Sequence, residues 1–179
     1  MARPDKDRHP TAAHLADTVF DDMEIQRLML KPGEACAAAA ERVRRLLDME
    51  KVKTNVRALL IWKAAVDTVP KNHIVVLADL DGEQFAIDPT AMQFPGARPA
   101  FVPIRDWEAM MNRTLAKQAV VYKDYPSVSE AGRLAGPFYT GHVESFEGGV
   151  IMNKPDWYAN VRNNPGHFQE LLKKMNLEE

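Results

Sequence analysis

The dipeptide Asp81-Gly82 constrains the fold of this chain more than any other feature, because it separates two runs with the composition of β-strands. Residues 73–80 and 84–88 are rich in branched and aromatic side chains and are bounded by turn residues. An Asp-Gly pair between two such runs is a strong signal for a tight β-hairpin. Residues 56–62 have the same character, so the sequence predicts three strands in an antiparallel sheet.

The segments before these strands have helical periodicity. Residues 17–29 are roughly helical in period, and Lys31-Pro32-Gly33 ends that pattern. Residues 34–50 predict the clearest helix, in an alanine-rich stretch with high helix propensity. Its apolar positions recur at the spacing of one helix face and include Cys36, Ala39, Ala40, Val43, Leu46 and Leu47. Helices followed by an antiparallel sheet indicate an α+β fold.

The two ends of the chain are less regular. Residues 1–15 are polar and contain proline, which predicts a flexible arm before a single domain at residues 16–179. A helix is predicted at 107–117 with Asp106 as its N-cap, and Trp107 is interpreted as a core residue. Ser127-Val128-Ser129-Glu130 fits a capping box. Residues 154–162 and 166–175 predict two more short helices.

Composition excludes several classes of function. The chain has 179 residues, a net charge of −2 and a pI near 6.2, so a basic surface for nucleic acid is not expected. The longest apolar run, residues 35–40, is far too short to span a membrane. Residues 1–10 have no apolar stretch behind them, so no Sec-type signal is expected. One cysteine excludes an internal disulfide and a multi-cysteine zinc site, and no motif indicates a cofactor or a metal.

That single cysteine, Cys36, falls in the first turn of the helix predicted at residues 34–50. Unpaired N–H groups and the positive end of the helix dipole stabilise an anion there, which lowers the pKa of a thiol below about 8.5. The same N–H groups could help to bind an oxyanion. The alternative interpretation is that Cys36 is a small hydrophobic residue in an alanine-rich core stripe.

His73 and Asp88 are connected by the register of the predicted hairpin. With a two-residue turn, Val75 lies opposite Asp88, and His73 is two residues further along the strand. Paired residues and residues two apart point to the same face of a sheet, so His73 and Asp88 project together. A turn with an odd number of residues would reverse this parity. Taken separately, His73 could be an ordinary strand-end residue and Asp88 an ordinary turn residue before proline.

A thiol at a helix start, an imidazole and a carboxylate form the nucleophile, base and orienting group of acyl transfer. The segments that carry them are Gly33-Glu34-Ala35-Cys36, residues 73–77 and residues 81–90, and together they resemble the papain-like fold in its minimal bacterial form. The likeness is to papain-fold toxin domains of polymorphic toxin systems and to the protein-glutaminase and transglutaminase-like families. The resemblance covers residues 31–94.

The resemblance implies a papain-like core in which the helix carrying Cys36 packs on the antiparallel sheet carrying His73 and Asp88. Residues 101–179 would then form a helical C-terminal extension. It also implies that Cys36 is the nucleophile, His73 the general base and Asp88 the residue that orients the imidazole. Papain-like proteases have a glutamine six residues before the cysteine, where this chain has Leu30. Gln26 and Gln93 are therefore the candidates for the side-chain oxyanion donor, beside the Cys36 backbone N–H.

The function implied is that of a bacterial effector toxin that deamidates protein glutamine through a thioester. A papain-like cysteine peptidase or a transglutaminase is the alternative, since both share the first chemical step, and a peptidoglycan amidase ranks third. An alternative of another class is a non-catalytic interaction domain with a patch around Trp157-Tyr158. The toxin likeness also implies a protein substrate in the cytoplasm of a target cell, export by a dedicated secretion system and a cognate immunity protein.

Overall fold

A computed structural model describes residues 11–62, 71–115 and 119–131. Five strands form one sheet in the order β4-β3-β2-β1-β5, and each neighbouring pair is antiparallel. The strands are β1 Thr54–Trp62, β2 Lys71–Leu80, β3 Glu83–Asp88, β4 Ala100–Pro103 and β5 Ala119–Tyr125. The helices are α1 Ala12–Phe20, α2 Met23–Met29, α3 Cys36–Met49, α4 Ile104–Thr114 and α5 Val128–Ala131.

The hairpin between β2 and β3 has the predicted register. Leu80 pairs with Glu83, so the turn consists of Asp81 and Gly82 alone. Both turn residues have positive φ, at 52° and 84°, which is the conformation that a tight hairpin turn requires. The prediction that depended on an even-numbered turn is therefore confirmed for the backbone.

Both faces of the sheet are covered, which explains why its central strands are apolar on successive residues. Alternate residues of β1 and β2, such as Val56 and Val76, pack in one buried cluster with α1, α2 and α3. The residues between them, such as Leu59 and Val75, pack in a second cluster with α4. The α3 stripe predicted from the sequence is buried along five positions: Ala39, Ala40, Val43, Leu46 and Leu47.

The helix predicted at residues 17–29 is two helices, and the predicted arm at residues 1–15 is too long. The side chain of Asp22 accepts the N–H groups of Glu24 and Ile25, so a new helix, α2, begins there. Upstream, Thr11 caps α1, and Leu15 is completely buried. Residues 11–15 are therefore part of the packed domain, while residues 1–10 lie outside the described part.

The stretch after residue 100 is not purely helical, which corrects the predicted helical extension at 101–179. Strands β4 and β5 pair with β3 and β1 at opposite edges of the sheet. Helix α4 starts three residues before the predicted one, and Asp106 lies in its first turn while Pro103 is its N-cap. Ser127 accepts the Glu130 N–H at the start of α5, as the capping box predicts. The helices predicted at 154–162 and 166–175 lie outside the described residues.

The buried guanidinium of Arg57 connects α4 to the sheet through ion pairs. Arg57 on β1 is 6% exposed and donates two hydrogen bonds to Asp124 on β5 and one to Glu108 on α4. Its guanidinium also lies 4.1 Å from the centre of the Tyr122 ring. Within the described ranges, none of the helices has the length and apolar character needed to cross a membrane.

Candidate active site

Cys36 is the first residue of α3, directly after a 3₁₀ turn at Pro32–Glu34. Its side chain is partly exposed and contacts His73. Burial acts to raise the pKa of the Cys36 thiol, but the hydrogen bond and charge of His73 oppose it. The backbone N–H groups of Ile74 and Ala37 act in the same direction as His73, and the net result is a pKa below its ordinary value.

His73 and Asp88 form a buried pair at one end of the β2–β3 hairpin. Both are completely buried, and His73 Nε2 lies 2.7 Å from Asp88 Oδ2. The paired positions Val76 and Ile87 set this register, which brings the two side chains to the same face as predicted. Since Asp88 contacts Nε2, Nδ1 is the ring nitrogen that can contact the Cys36 thiol, and the Gln93 side-chain amide lies against the same nitrogen.

The environment of His73 favours its protonated form. Burial acts to lower the pKa of His73, but the charge and hydrogen bond of Asp88, with a smaller effect of Cys36, raise it to about 9. Phe94 contacts the imidazole edge-to-face, with the ring centres 5.0 Å apart. A raised imidazole pKa beside a lowered thiol pKa favours a thiolate–imidazolium pair, the reactive form of a cysteine nucleophile.

Asp88 receives further donors that the sequence interpretation missed. Trp107 on α4 donates its indole N–H to Asp88 Oδ2 at 3.0 Å, and Thr90 Oγ1 lies 3.4 Å from Oδ1. Trp107 is a core residue as predicted, because it is completely buried, but it is also a polar contact of the site. The helical spacing of Trp107 with Met110 and Met111 explains only its burial, and its contact with Asp88 depends on the packing of α4.

The cleft that holds Cys36 has a volume of about 420 Å³. It is lined by Gly33, Glu34, Cys36, Ala37, Lys71, Asn72, Gln93 and Phe94. Two larger grooves, of about 570 and 540 Å³, lie at other parts of the surface, and Cys36 lines neither of them. The smaller cleft is therefore the candidate active site, because it is the one lined by Cys36.

The two candidate oxyanion donors are placed differently. Gln93 lines the cleft, and its Nε2 lies 2.6 Å from His73 Nδ1. Gln26 does not line it, since its amide is exposed and donates to the Phe20 carbonyl at 3.0 Å. The prediction of Gln26 is therefore wrong: its amide is occupied in holding the junction of α1 and α2. Among the described residues, no group of three His, Cys, Asp or Glu side chains is placed to hold a metal ion.

The family model described as a dermonecrotoxin of the papain-like fold matches residues 31–158. The chain belongs to this family. The match begins at the turn before Cys36 and continues through His73, Asp88 and Trp107. The resemblance to papain-like toxin domains is thus confirmed, and it extends well beyond residues 31–94.

Individual relatives agree with this assignment. A protein named "Toxin" from Photorhabdus asymbiotica is 27% identical over 113 residues, which are 59% of this chain and 4% of that protein. The secreted effector protein SseI of Salmonella typhimurium is 22% identical over 143 residues, which are 75% of this chain and 44% of SseI. The chain thus matches less than half of the length of either relative.

A solved structure supports the same fold. The structure of the catalytic domain of the Salmonella virulence factor SseI superposes with a TM-score of 0.70 at 18% identity. The alignment covers 89% of this chain and 97% of that domain. The predicted papain-like α+β fold is therefore confirmed, and the chain is related to toxins and effectors of this fold.

Proposed function

We propose that this chain is a cysteine-dependent protein glutamine deamidase that acts as an effector toxin. The observation that carries the proposal is the buried His73–Asp88 pair beside the Cys36 thiol at a helix start. The lowered pKa of Cys36 and the raised pKa of His73 are the electrostatic conditions that a cysteine nucleophile needs. The toxin and the secreted effector among its relatives support the toxin role.

In the first step, the Cys36 thiolate attacks the side-chain amide carbon of a substrate glutamine. The C–S bond forms, and the amide oxygen takes the negative charge of a tetrahedral intermediate. The protonated His73 then gives its Nδ1 proton to the amide nitrogen, the C–N bond breaks and ammonia leaves. The product of this step is a thioester between Cys36 and the former glutamine side chain.

In the second step, neutral His73 takes a proton from water, and the resulting hydroxide attacks the thioester carbon. Collapse of the intermediate breaks the C–S bond and releases glutamate, while His73 and Cys36 return to the imidazolium–thiolate pair. Asp88 pairs with His73 and stabilises the imidazolium in both halves of the reaction.

The oxyanion of both intermediates would be bound by the Cys36 backbone N–H and by the Gln93 side-chain amide. Cys36 begins α3, and its N-cap Ala35 offers no side-chain acceptor, so the N–H groups at this helix end are not engaged by a cap. Gln93 already lies in the cleft. With Nδ1 protonated, the Gln93 amide oxygen would accept from it in the resting pair, and the amide N–H would turn to the substrate oxygen.

We further propose that the protein substrate lies in the cytoplasm of a target cell, that a dedicated secretion system exports the toxin, and that the producer makes a cognate immunity protein. The description of one relative as a secreted effector supports this setting. Proteolysis and transamidation share the thioester step with deamidation and differ in the leaving group or the acceptor. They are therefore outcomes of the test below.

The test is to incubate wild-type protein and the Cys36→Ala variant with extract of a target cell and to measure released ammonia. Mass spectrometry of the extract then identifies glutamines converted to glutamate. Deamidation requires both signals from the wild-type protein and neither from the variant. New peptide termini would instead indicate a peptidase, and amine incorporation a transglutaminase. Identical extracts for the two proteins, together with binding of a partner, would favour the non-catalytic interaction domain.

A further inference from the structure

We propose that Trp107 is a positioning residue for the active site: its indole N–H fixes the Asp88 carboxylate so that Oδ2 stays aligned with His73 Nε2. The inference rests on the proposed function for its importance, but it concerns the geometry of the free protein. It gives α4 a role in the site that neither the sequence pattern nor the shared fold assigns.

The geometry singles out one oxygen of Asp88. His73 Nε2 lies 2.7 Å from Oδ2, and Trp107 Nε1 lies 3.0 Å from the same atom. Thr90 is 3.4 Å from the other oxygen, Oδ1, so that contact is the weaker one. The Trp107 N–H is a second donor to Oδ2 besides the imidazole, so the carboxylate rotates less freely about its χ2 angle. An acceptor oxygen therefore stays in front of the imidazole.

Burial makes this indole contact consequential. His73, Asp88 and Trp107 are all completely buried, so water is not available to replace a lost donor. A Trp N–H placed in a core normally finds an acceptor, and here the acceptor is the carboxylate of the proposed catalytic pair. Trp107 on α4 packs in the same buried cluster as Val75 on β2 and Ala86 on β3.

Few charged groups could mask the effect. The side chains described in contact with the His73 ring are Asp88 on β3, Cys36 on α3, and the uncharged Gln93 and Phe94. Glu34 and Lys71 also line the Cys36 cleft, and they are the same in every variant compared. A change in the alignment of Asp88 therefore reaches Cys36 mainly through the protonation of His73. If Asp88 turns away, burial lowers the pKa of His73 with less to oppose it, and the Cys36 thiolate loses its counter-ion.

The test is the pH dependence of Cys36 alkylation, which needs no substrate and reports one thiol because the chain has one cysteine. Trp107→Phe removes the N–H and keeps an aromatic ring. Replacement of Trp107 by benzothienylalanine keeps the two-ring shape and puts a sulfur, which cannot donate a hydrogen bond, in place of the N–H. Met111→Val is the matched control, since Met111 is completely buried one turn later on α4 in the same cluster. Thermal unfolding is followed for every variant.

The proposal predicts that the alkylation midpoint rises by roughly one pH unit in both Trp107 variants and stays unchanged in Met111→Val. An unchanged midpoint in the benzothienylalanine variant would overturn it and leave Trp107 a packing residue. A midpoint that falls would also overturn it, because the N–H would then only weaken the charge of Asp88. Failure of the benzothienylalanine variant to fold would show that the N–H serves stability instead. None of these outcomes depends on whether the substrate is a glutamine.

Discussion

Replacement of Cys36 with alanine should make the stability of the domain depend on pH. Asp88 is retained in the variant and is the first of the groups that raise the pKa of His73, which reaches about 9 in the folded wild-type protein. An unfolded histidine releases its proton at about pH 6.5. Between these values the folded variant binds one more proton than the unfolded chain, so the free energy of unfolding falls by about 1.4 kcal/mol per pH unit.

The stabilisation from protonated His73 is complete below about pH 6.5 and is lost as the pH rises through the folded pKa. Across the whole window the loss is on the order of 3 kcal/mol, slightly reduced because the contribution of Cys36 to the His73 pKa is gone. The wild-type protein should be nearly indifferent to pH where Cys36 is a thiolate. There the folded state holds one proton on His73 and none on Cys36, and the unfolded state holds one on Cys36 and none on His73. The number of bound protons is therefore the same in both states.

Urea unfolding followed by circular dichroism from about pH 6 to about pH 9.5 measures this effect. The matched control is the double variant Cys36→Ala with Asp88→Asn, in which the pH dependence should disappear because the charge that holds the proton on His73 is gone. If Cys36→Ala is as flat as the wild-type protein over this range, His73 is not protonated in the folded state. The electrostatic account of the site would then be refuted.

Four further substitutions separate the parts of the site from the scaffold. Asp88→Asn keeps an acceptor in place but removes the charge, so the ammonia assay should show a rate at least about tenfold lower; an unchanged rate would count against the orienting role. Gln93→Ala should lower kcat by about 10² while Gln26→Ala leaves it unchanged, and equal effects would contradict the placement of the oxyanion donor. Arg57→Met should lower the free energy of unfolding, measured in urea, by roughly 2 kcal/mol, because it removes the cation that pairs with two partly exposed carboxylates. The Cys36 alkylation midpoint should not change.

The parts of the fold that could be predicted from the sequence are those determined by local rules. Asp81-Gly82 determines a two-residue turn, and the period of a strand then determines which side chains share a face. That is why the contact of His73 with Asp88 followed from the sequence although 15 positions separate them. The α3 stripe followed from helical period in the same way.

The parts that were missed depend on tertiary contacts. Strand β4 has only four residues, so its own pattern is short, and it is identified by its pairing with β3. Strand β5 carries branched and aromatic residues that the sequence interpretation overlooked. The break between α1 and α2 depends on the side-chain cap at Asp22, which also pairs with Arg42 on α3. Packing between elements distant in the sequence decides which of Gln26 and Gln93 lies in the cleft. It also decides the contact of Trp107 with Asp88.

The pKa of the Cys36 thiol, measured by alkylation across pH in the wild-type protein and in His73→Ala, tests the central claim most directly. We predict a wild-type pKa below the reference value of about 8.5 that rises when the imidazole is removed. A thiol with a pKa at or above that reference value, unchanged in His73→Ala, would mean that Cys36 is a structural cysteine. The proposal of a cysteine-dependent deamidase would then be contradicted.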